Sequence, residues 1–258
     1  MIRFASFDLD GTVLDPRGAV AEGVVAGVRR LRRAGVRSFV NTGRPLASVR
    51  SIPRIDRLLA VCEDAVLVDD AEAVFRPATG RTEALAVLPG CALDQVRAQC
   101  RHFVVSCGGR LFASSRRAAR SYALAYRLPQ SVIEPGTGEP TRGAHRVTVF
   151  DGAPAGIDAV TVDPITPFAA SVVRPAHSGK AAGLARFLAA FHAGDLSDVV
   201  AFGDGDADAD LLARSAIGVA VRASSPAAVA AASVHLAGPL DEFLAEFDPY
   251  DRRWATRR

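Results

Sequence analysis

A chain of 258 residues that is 49% hydrophobic and 23% charged has ordinary globular composition, enough to bury a core without disulfide or metal staples. Net charge is +3, from 31 basic against 28 acidic side chains, too even to point to a nucleic-acid partner, while a pI near 8.9 mildly favours anionic ligands. The four cysteines (Cys62, Cys91, Cys100, Cys107) lack the CxxC spacing of a zinc or redox site, the N-terminus has no apolar stretch like a secretory signal, and the other apolar runs are too short or too charged to span a membrane, so a reduced, cytoplasmic protein with no membrane partner is expected.

Residues 2–8, IRFASFD, read as a buried strand with a carboxylate at its C-terminal end. AVAEGVVAGVRRLRRAG reads as a helix with a basic last turn and Gly35 as its cap. VRSFVNTG is a second strand leading into Pro45 and a short helix over 45–52, and LLAV and AVLVDD read as further strands. The same rhythm returns late in the chain: GKAAGLARFLAAF a helix, SDVVAFGD a strand, DADLLARS a helix, IGVAV a strand, PAAVAAA a helix. Such alternation predicts an α/β fold, a doubly wound parallel sheet covered on both faces.

Between the halves the texture changes. An arginine-rich helix (SSRRAARSYALAY), a Pro/Gly-rich loop (IEPGTGEP) and short strand candidates RVTVFD, DAVTV and AASVV predict a smaller α+β domain inserted over 82–172 between core segments 1–81 and 173–258. The basic tail YDRRWATRR reads as a solvated or packed terminus.

Four short stretches carry chemistry. In Asp8-Leu9-Asp10-Gly11-Thr12 both carboxylates can turn toward the crevice beyond the sheet's carboxyl edge. Adjacent carboxylates repel unless a cation joins them, and oxygen-only ligands suit magnesium. Asn41-Thr42-Gly43-Arg44 closes the second strand, where a threonine hydroxyl beside backbone N–H groups can hold an oxyanion or cap the next helix. Lysine occurs once, at Lys180 in His177-Ser178-Gly179-Lys180, against thirty arginines. A compact point charge and a planar fork are not interchangeable, so the solitary lysine invites a functional reading over chance survival. Finally, Gly203 to Asp210 (GDGDADAD) sets Asp204, Asp206, Asp208 and Asp210 just after a buried strand, good design for a hard cation and without the twelfth-position Glu of a calcium loop.

In this order the pieces resemble the four motifs of the haloacid dehalogenase (HAD) superfamily, with the insertion where that superfamily places a C2-type cap. NTGRP, Gly-Lys opening a helix, GDG followed by acids, and IGVAV resemble its Cof-type sugar-phosphate phosphatase branch. The resemblance covers about 1–80 and 173–245. It implies a Rossmann-like core and a Mg2+-dependent phosphatase acting on a small phosphorylated metabolite, with a sugar phosphate the expected class. It implies Asp8 as nucleophile forming an aspartyl-phosphate and Asp10 as acid and then base. It further implies Thr42, Gly43, Arg44 and Lys180 on the phosphoryl group, and Asp8, the Asp10 carbonyl, Asp204 and Asp208 around the metal.

The chain departs from the pattern at Ala207 (usually Asn), at Glu63-Asp64 (where Asn-Gly often follows the third strand) and at Ala223 (often Asn). Two alternatives stay open: a metabolite-binding module with a weakened site, and a phosphomutase. A phosphoacceptor signalling domain would be about half as long and have no insertion. Arg116, Arg117, Arg120, His145 and Arg146 in the insertion could meet an anionic substrate, although helix arginines are more often a solvated face.

Overall fold

In the computed structural model, residues 1–62, 65–136, 142–165 and 168–251 are described. The tail beyond Asp251, the Glu63-Asp64 pair and part of the Pro/Gly-rich loop lie outside them.

The first sheet grows outward from β1 (Phe4–Phe7), whose residues are all buried. It pairs in parallel with β2 (Arg37–Asn41) on one side and β12 (Val199–Gly203) on the other. β13 (Ile217–Val221) and β14 (Val234–Leu236) extend it past β12, and β3 (Val66–Val68) extends it past β2. Beyond β3 an antiparallel pair, β4 (Ala73–Arg76) and β5 (Arg81–Ala84), completes eight strands. The central strands are continuous apolar runs because helices cover both faces. On one face α1 (Glu22–Arg33) presents Val24, Val28 and Leu31, and α9 (Leu240–Glu246) presents Leu240 and Leu244. The other face packs on Leu184, Phe187 and Leu188 of α6 (Lys180–Phe191) and on Leu211 and Leu212 of α7 (Ala209–Arg214). α1 ends where Gly35 takes φ 80°, a left-handed position glycine occupies without strain. This is the doubly wound α/β fold the alternation predicted.

A second sheet of six strands lies in the middle of the chain, ordered β10 (Val160–Ile165), β11 (Ala170–Pro175), β9 (Ala144–Val149), β6 (Phe103–Cys107), β7 (Arg110–Ala113) and β8 (Ile133–Pro135). Its pairings are antiparallel except β7 with β8. Phe103 and Val105 pack with Leu93 and Val96 of α4 (Gly90–Gln99). Val104 and Leu111 pack with Ala118 and Tyr122 of α5 (Arg116–Ala125). Successive strand residues point to opposite faces, so the two helices sandwich this sheet. β5 runs to Ala84 and β11 to Pro175, so strands cross the expected limits of the insertion by a few residues at each end.

Two local expectations are corrected. LLAV is not a strand: Leu58 and Leu59 belong to α3 (Ile55–Leu59), and Leu58 is buried against the sheet as a helix residue. A short apolar run does not by itself distinguish strand from helix. The third strand is therefore Val66–Val68, and the pair that follows it is Asp69-Asp70 rather than Glu63-Asp64.

Candidate active site

The carboxyl ends of β1, β2 and β12 meet where strand order reverses, and the loops leaving them line a cleft of about 520 Å³. Asp8 follows β1 and is buried, and Asp10 lies two residues on in the loop, its side chain 58% exposed. Gly11 takes φ 70°, and a Cβ there would collide with the Asp204 carboxylate, so the turn can come this close only as glycine. Gly203 plays the same part beneath Asp208, whose side chain occupies the space a Cβ would need. Thr12 Oγ1 donates to Asp204 Oδ1 at 2.9 Å, and the Asp204 and Gly205 N–H groups donate to Asp208 Oδ2 at 3.2 and 3.1 Å.

Lys180, the first residue of α6, is 5% exposed, and its Nζ sits 2.7 Å from both Asp8 Oδ1 and Asp208 Oδ1. One oxygen each of Asp8, Asp204 and Asp208 lie within 4.8 Å of one another. With all three carboxyls ionised, one ammonium leaves a local excess of two negative charges. The titration behaviour reflects burial first and that crowding second. Burial, with a contribution from Asp208, pushes Asp8 up to about 7 against the pull of Lys180. Asp204 is raised by burial and by Asp208. Burial opposes the charge on Lys180, but Asp8, Asp208 and Asp70 outweigh it and hold the ammonium well above the usual lysine range. A hard divalent cation fits this donor set, since it is all oxygen, anionic and short of positive charge.

The four motifs come together, though not all on the cleft wall. Asp8, Asp10, Gly43, Arg44, Lys180, Asp204, Ala207 and Asp208 line it. Thr42 is buried, its Oγ1 accepts the Arg44 N–H at 3.2 Å, and it is not among the cleft-lining residues. Arg44 is spoken for: Nε and Nη2 donate to Asp10 Oδ2 and Oδ1 at 2.7 and 2.6 Å. Asp206 and Asp210 belong to an adjoining cleft with Asp163 and Arg174.

Several cleft residues had no motif to announce them: Ser48, Asp70, Tyr126, Arg127 and Phe168. Asp70 could have been found, since it lies two residues beyond the strand VLV, had LLAV not been counted as the third strand. The others come from the insertion or from a helix face, where sequence texture carries no site signal. Conversely, Arg146 and His145 are not free for substrate. Arg146 is buried, donating to Glu72 Oε2 at 2.8 Å, Asp70 Oδ2 at 2.6 Å and the Asp69 carbonyl at 2.9 Å, and His145 Nε2 lies 2.9 Å from Asp69 Oδ2. Arg116 sits beside a separate surface hollow with Glu134, away from the carboxylates.

A family model described as haloacid dehalogenase-like hydrolase matches residues 5–63 and 160–238. No curated protein matches the chain. Solved structures share its fold at low identity. A protein from Thermotoga maritima is 18% identical with a TM-score of 0.74, over 96% of this chain and 98% of that one. A phosphatase of the superfamily from Bacteroides thetaiotaomicron is 19% identical with a TM-score of 0.70, over 91% and 89%. A subclass IIB sugar phosphatase of the superfamily is 17% identical with a TM-score of 0.69, over 93% and 95%. The family match spans more than half of the chain and takes in Asp8, Asp10, Lys180, Asp204 and Asp208, and on it the protein belongs to the haloacid dehalogenase-like hydrolases, of the Cof type that its motifs resemble.

Proposed function

We propose that this hydrolase is a magnesium-dependent phosphatase of a small phosphorylated metabolite, a sugar phosphate being the expected class. The observation that carries the reading is the convergence of buried Asp8 and Asp208 on a single lysine, with half-buried Asp204 beside them, at the switch point of the sheet. The sugar phosphatase among its structural relatives supports the substrate class.

In this mechanism an Asp8 oxygen attacks phosphorus, the ester P–O bond breaks, and Asp10 gives a proton to the departing oxygen. Asp10, now ionised, takes a proton from the water that attacks the aspartyl-phosphate, which returns Asp8 and releases phosphate. Lys180 holds a phosphoryl oxygen with a charge that Asp8 and Asp208 keep in place. The Gly43 backbone, with the Thr42 hydroxyl behind it in sequence, offers donors at the end of β2. Magnesium, held by Asp8, Asp204, Asp208 and the Asp10 carbonyl, would neutralise the repulsion between carboxylate and phosphoryl oxygens. The inserted unit, which we read as a cap over 82–172, contributes Tyr126, Arg127 and Phe168 to the cleft and thereby shapes the leaving group's site.

The test is phosphate release from nitrophenyl phosphate and a panel of sugar phosphates, with magnesium and with chelator, for the wild type and Asp8→Asn. Release that needs magnesium and disappears in Asp8→Asn is expected. Wild-type rates in Asp8→Asn would overturn the mechanism, and transfer to a second hydroxyl without net phosphate would mark a mutase.

A further inference from the structure

Asp10 is the group that must deliver a proton along one line, yet its side chain is 58% exposed. An exposed carboxylate on a loop has several rotamers open to it, and each wrong one costs rate. Here the rotamer is held. Both Asp10 oxygens accept from one guanidinium, Nε and Nη2 of Arg44, in fork-to-fork geometry, which engages one lone pair of each oxygen and leaves the other to carry the proton. The guanidinium is held in turn, since Nη1 of Arg44 donates to Ser48 Oγ at 3.0 Å. Ser48 is buried in α2 (Leu46–Arg50), and its hydroxyl donates to the Tyr126 carbonyl at 3.3 Å. Tyr126 follows the last residue of α5, where carbonyls lose their helical partners and accept from outside. A second contact runs beside this one: Ala47 of α2 packs on the apolar cluster that α5 forms with Val104 and Leu111.

Resting on the reading of Asp10 as general acid and base, we infer that Arg44 and Ser48 are positioning residues that tie the aim of Asp10 to the seating of the inserted unit on the core. The chain runs without a gap from the Tyr126 carbonyl through Ser48 and Arg44 to Asp10. It crosses from one sheet's domain to the other's and ends on the proton donor. Arg44 thereby has a task other than binding the phosphoryl group, because three of its five N–H groups are committed to Asp10 and Ser48. When the inserted unit lifts, Ser48 loses its acceptor and the guanidinium loses its brace. Asp10 is then aimed only while the inserted unit is seated on the core.

The leaving group separates this role from a merely structural one. A nitrophenolate departs without a proton, whereas a sugar alkoxide needs one, and kcat/KM reports the steps up to that departure. Ser48→Ala is expected to lower kcat/KM for the best hexose phosphate of the panel about tenfold, with nitrophenyl phosphate changed less than about twofold, and Arg44→Gln to lower the hexose phosphate rate about a hundredfold. Ser48→Thr, which keeps the hydroxyl, is expected to restore the hexose phosphate rate. Equal losses on both esters, or no loss on either, would overturn the inference. Should the wild type release no phosphate with magnesium, or Asp8→Asn keep its rate, the reading of the site fails first and the inference falls with it.

Discussion

Two buried cations lie on either side of Asp70, and they differ in what they leave over. Lys180 faces Asp8 and Asp208 with Asp204 beside them, in a cleft, and the carboxylates outnumber it. Arg146 faces Glu72, Asp70 and the Asp69 carbonyl, and its fork donates twice to Glu72, at 2.8 and 3.1 Å. The first group is short of positive charge and opens on solvent, so it has something to offer a ligand. The second is outnumbered too, by Asp69, Asp70 and Glu72, but its guanidinium is spent on them, and it joins β9 of the inserted unit to the turn after β3. That turn holds Asp69, Asp70 and Ala71 all at φ between 53° and 60°, a left-handed run without glycine that costs on the order of 1 kcal/mol or more per residue. The guanidinium, the Asp69–His145 contact and the close approach of Ala71 to Gly183 hold it in place. Buried charge, even where carboxylates outnumber their cation, therefore does not mark a catalytic centre by itself; what singles out Asp8, Asp204 and Asp208 is that their oxygens converge within 4.8 Å of one another.

The sharpest way to break this comparison is to exchange the two cations' chemistry. Lys180→Arg puts a planar fork where a point charge bridges two carboxylates, and turnover should fall by about a hundredfold or more in a folded protein. Full activity in phosphate-release assays would mean that the lysine's solitude is accidental. Arg146→Met should do the opposite. Leaving the buried Glu72 without its partner should cost about 3–5 kcal/mol in denaturant unfolding, while kcat/KM per folded molecule holds for nitrophenyl phosphate, whose leaving group needs no proton. An unchanged midpoint would show that the network is not what seats the inserted unit.

A smaller effect sharpens the same contrast. Burial pushes Glu72 up to about 7, against the pull of Arg146. A carboxyl raised in the folded state binds its proton more tightly there than in the unfolded chain. Its contribution is complete below the ordinary glutamate range and is lost as pH rises through about 7. Stability of the wild type relative to Glu72→Gln should thus decline between about pH 4.5 and 7, by up to about 3 kcal/mol. A flat difference across that window would show that Glu72 titrates at its ordinary value. The smallest effect belongs to the surface: Arg57→Ala, which removes a pair with Glu22 whose side chains are both more than half exposed, should move stability by less than about 1 kcal/mol.

The parts of the site that were legible before folding were those with local chemistry. Asp8, Asp10 and Gly11 stand together because a strand end needs a tight turn, and the acids from Asp204 to Asp208 follow a strand too apolar to tolerate them elsewhere. Lys180 stood out only because thirty arginines surround it in composition. Arg146 was invisible for the same reason, one arginine among many, although it is the most heavily bonded of the insertion's candidates. The misplaced third strand shows the limit of pattern: LLAV and AVLV are equally apolar, and only packing made the first a helix turn and the second a strand.

The sequence by itself determined the α/β alternation, the strand-end carboxylates and the order of the motifs, because period, turn chemistry and charge crowding are properties of neighbours along the chain. Tertiary structure alone decided that Asp8, Lys180 and Asp208 share hydrogen bonds across up to 172 residues of separation, that Arg44 clamps Asp10 instead of facing the cleft free, and that Arg146 closes a network in place of meeting substrate. Those outcomes depend on which faces pack and which donors find acceptors first, and distance in space is not written in distance along the chain.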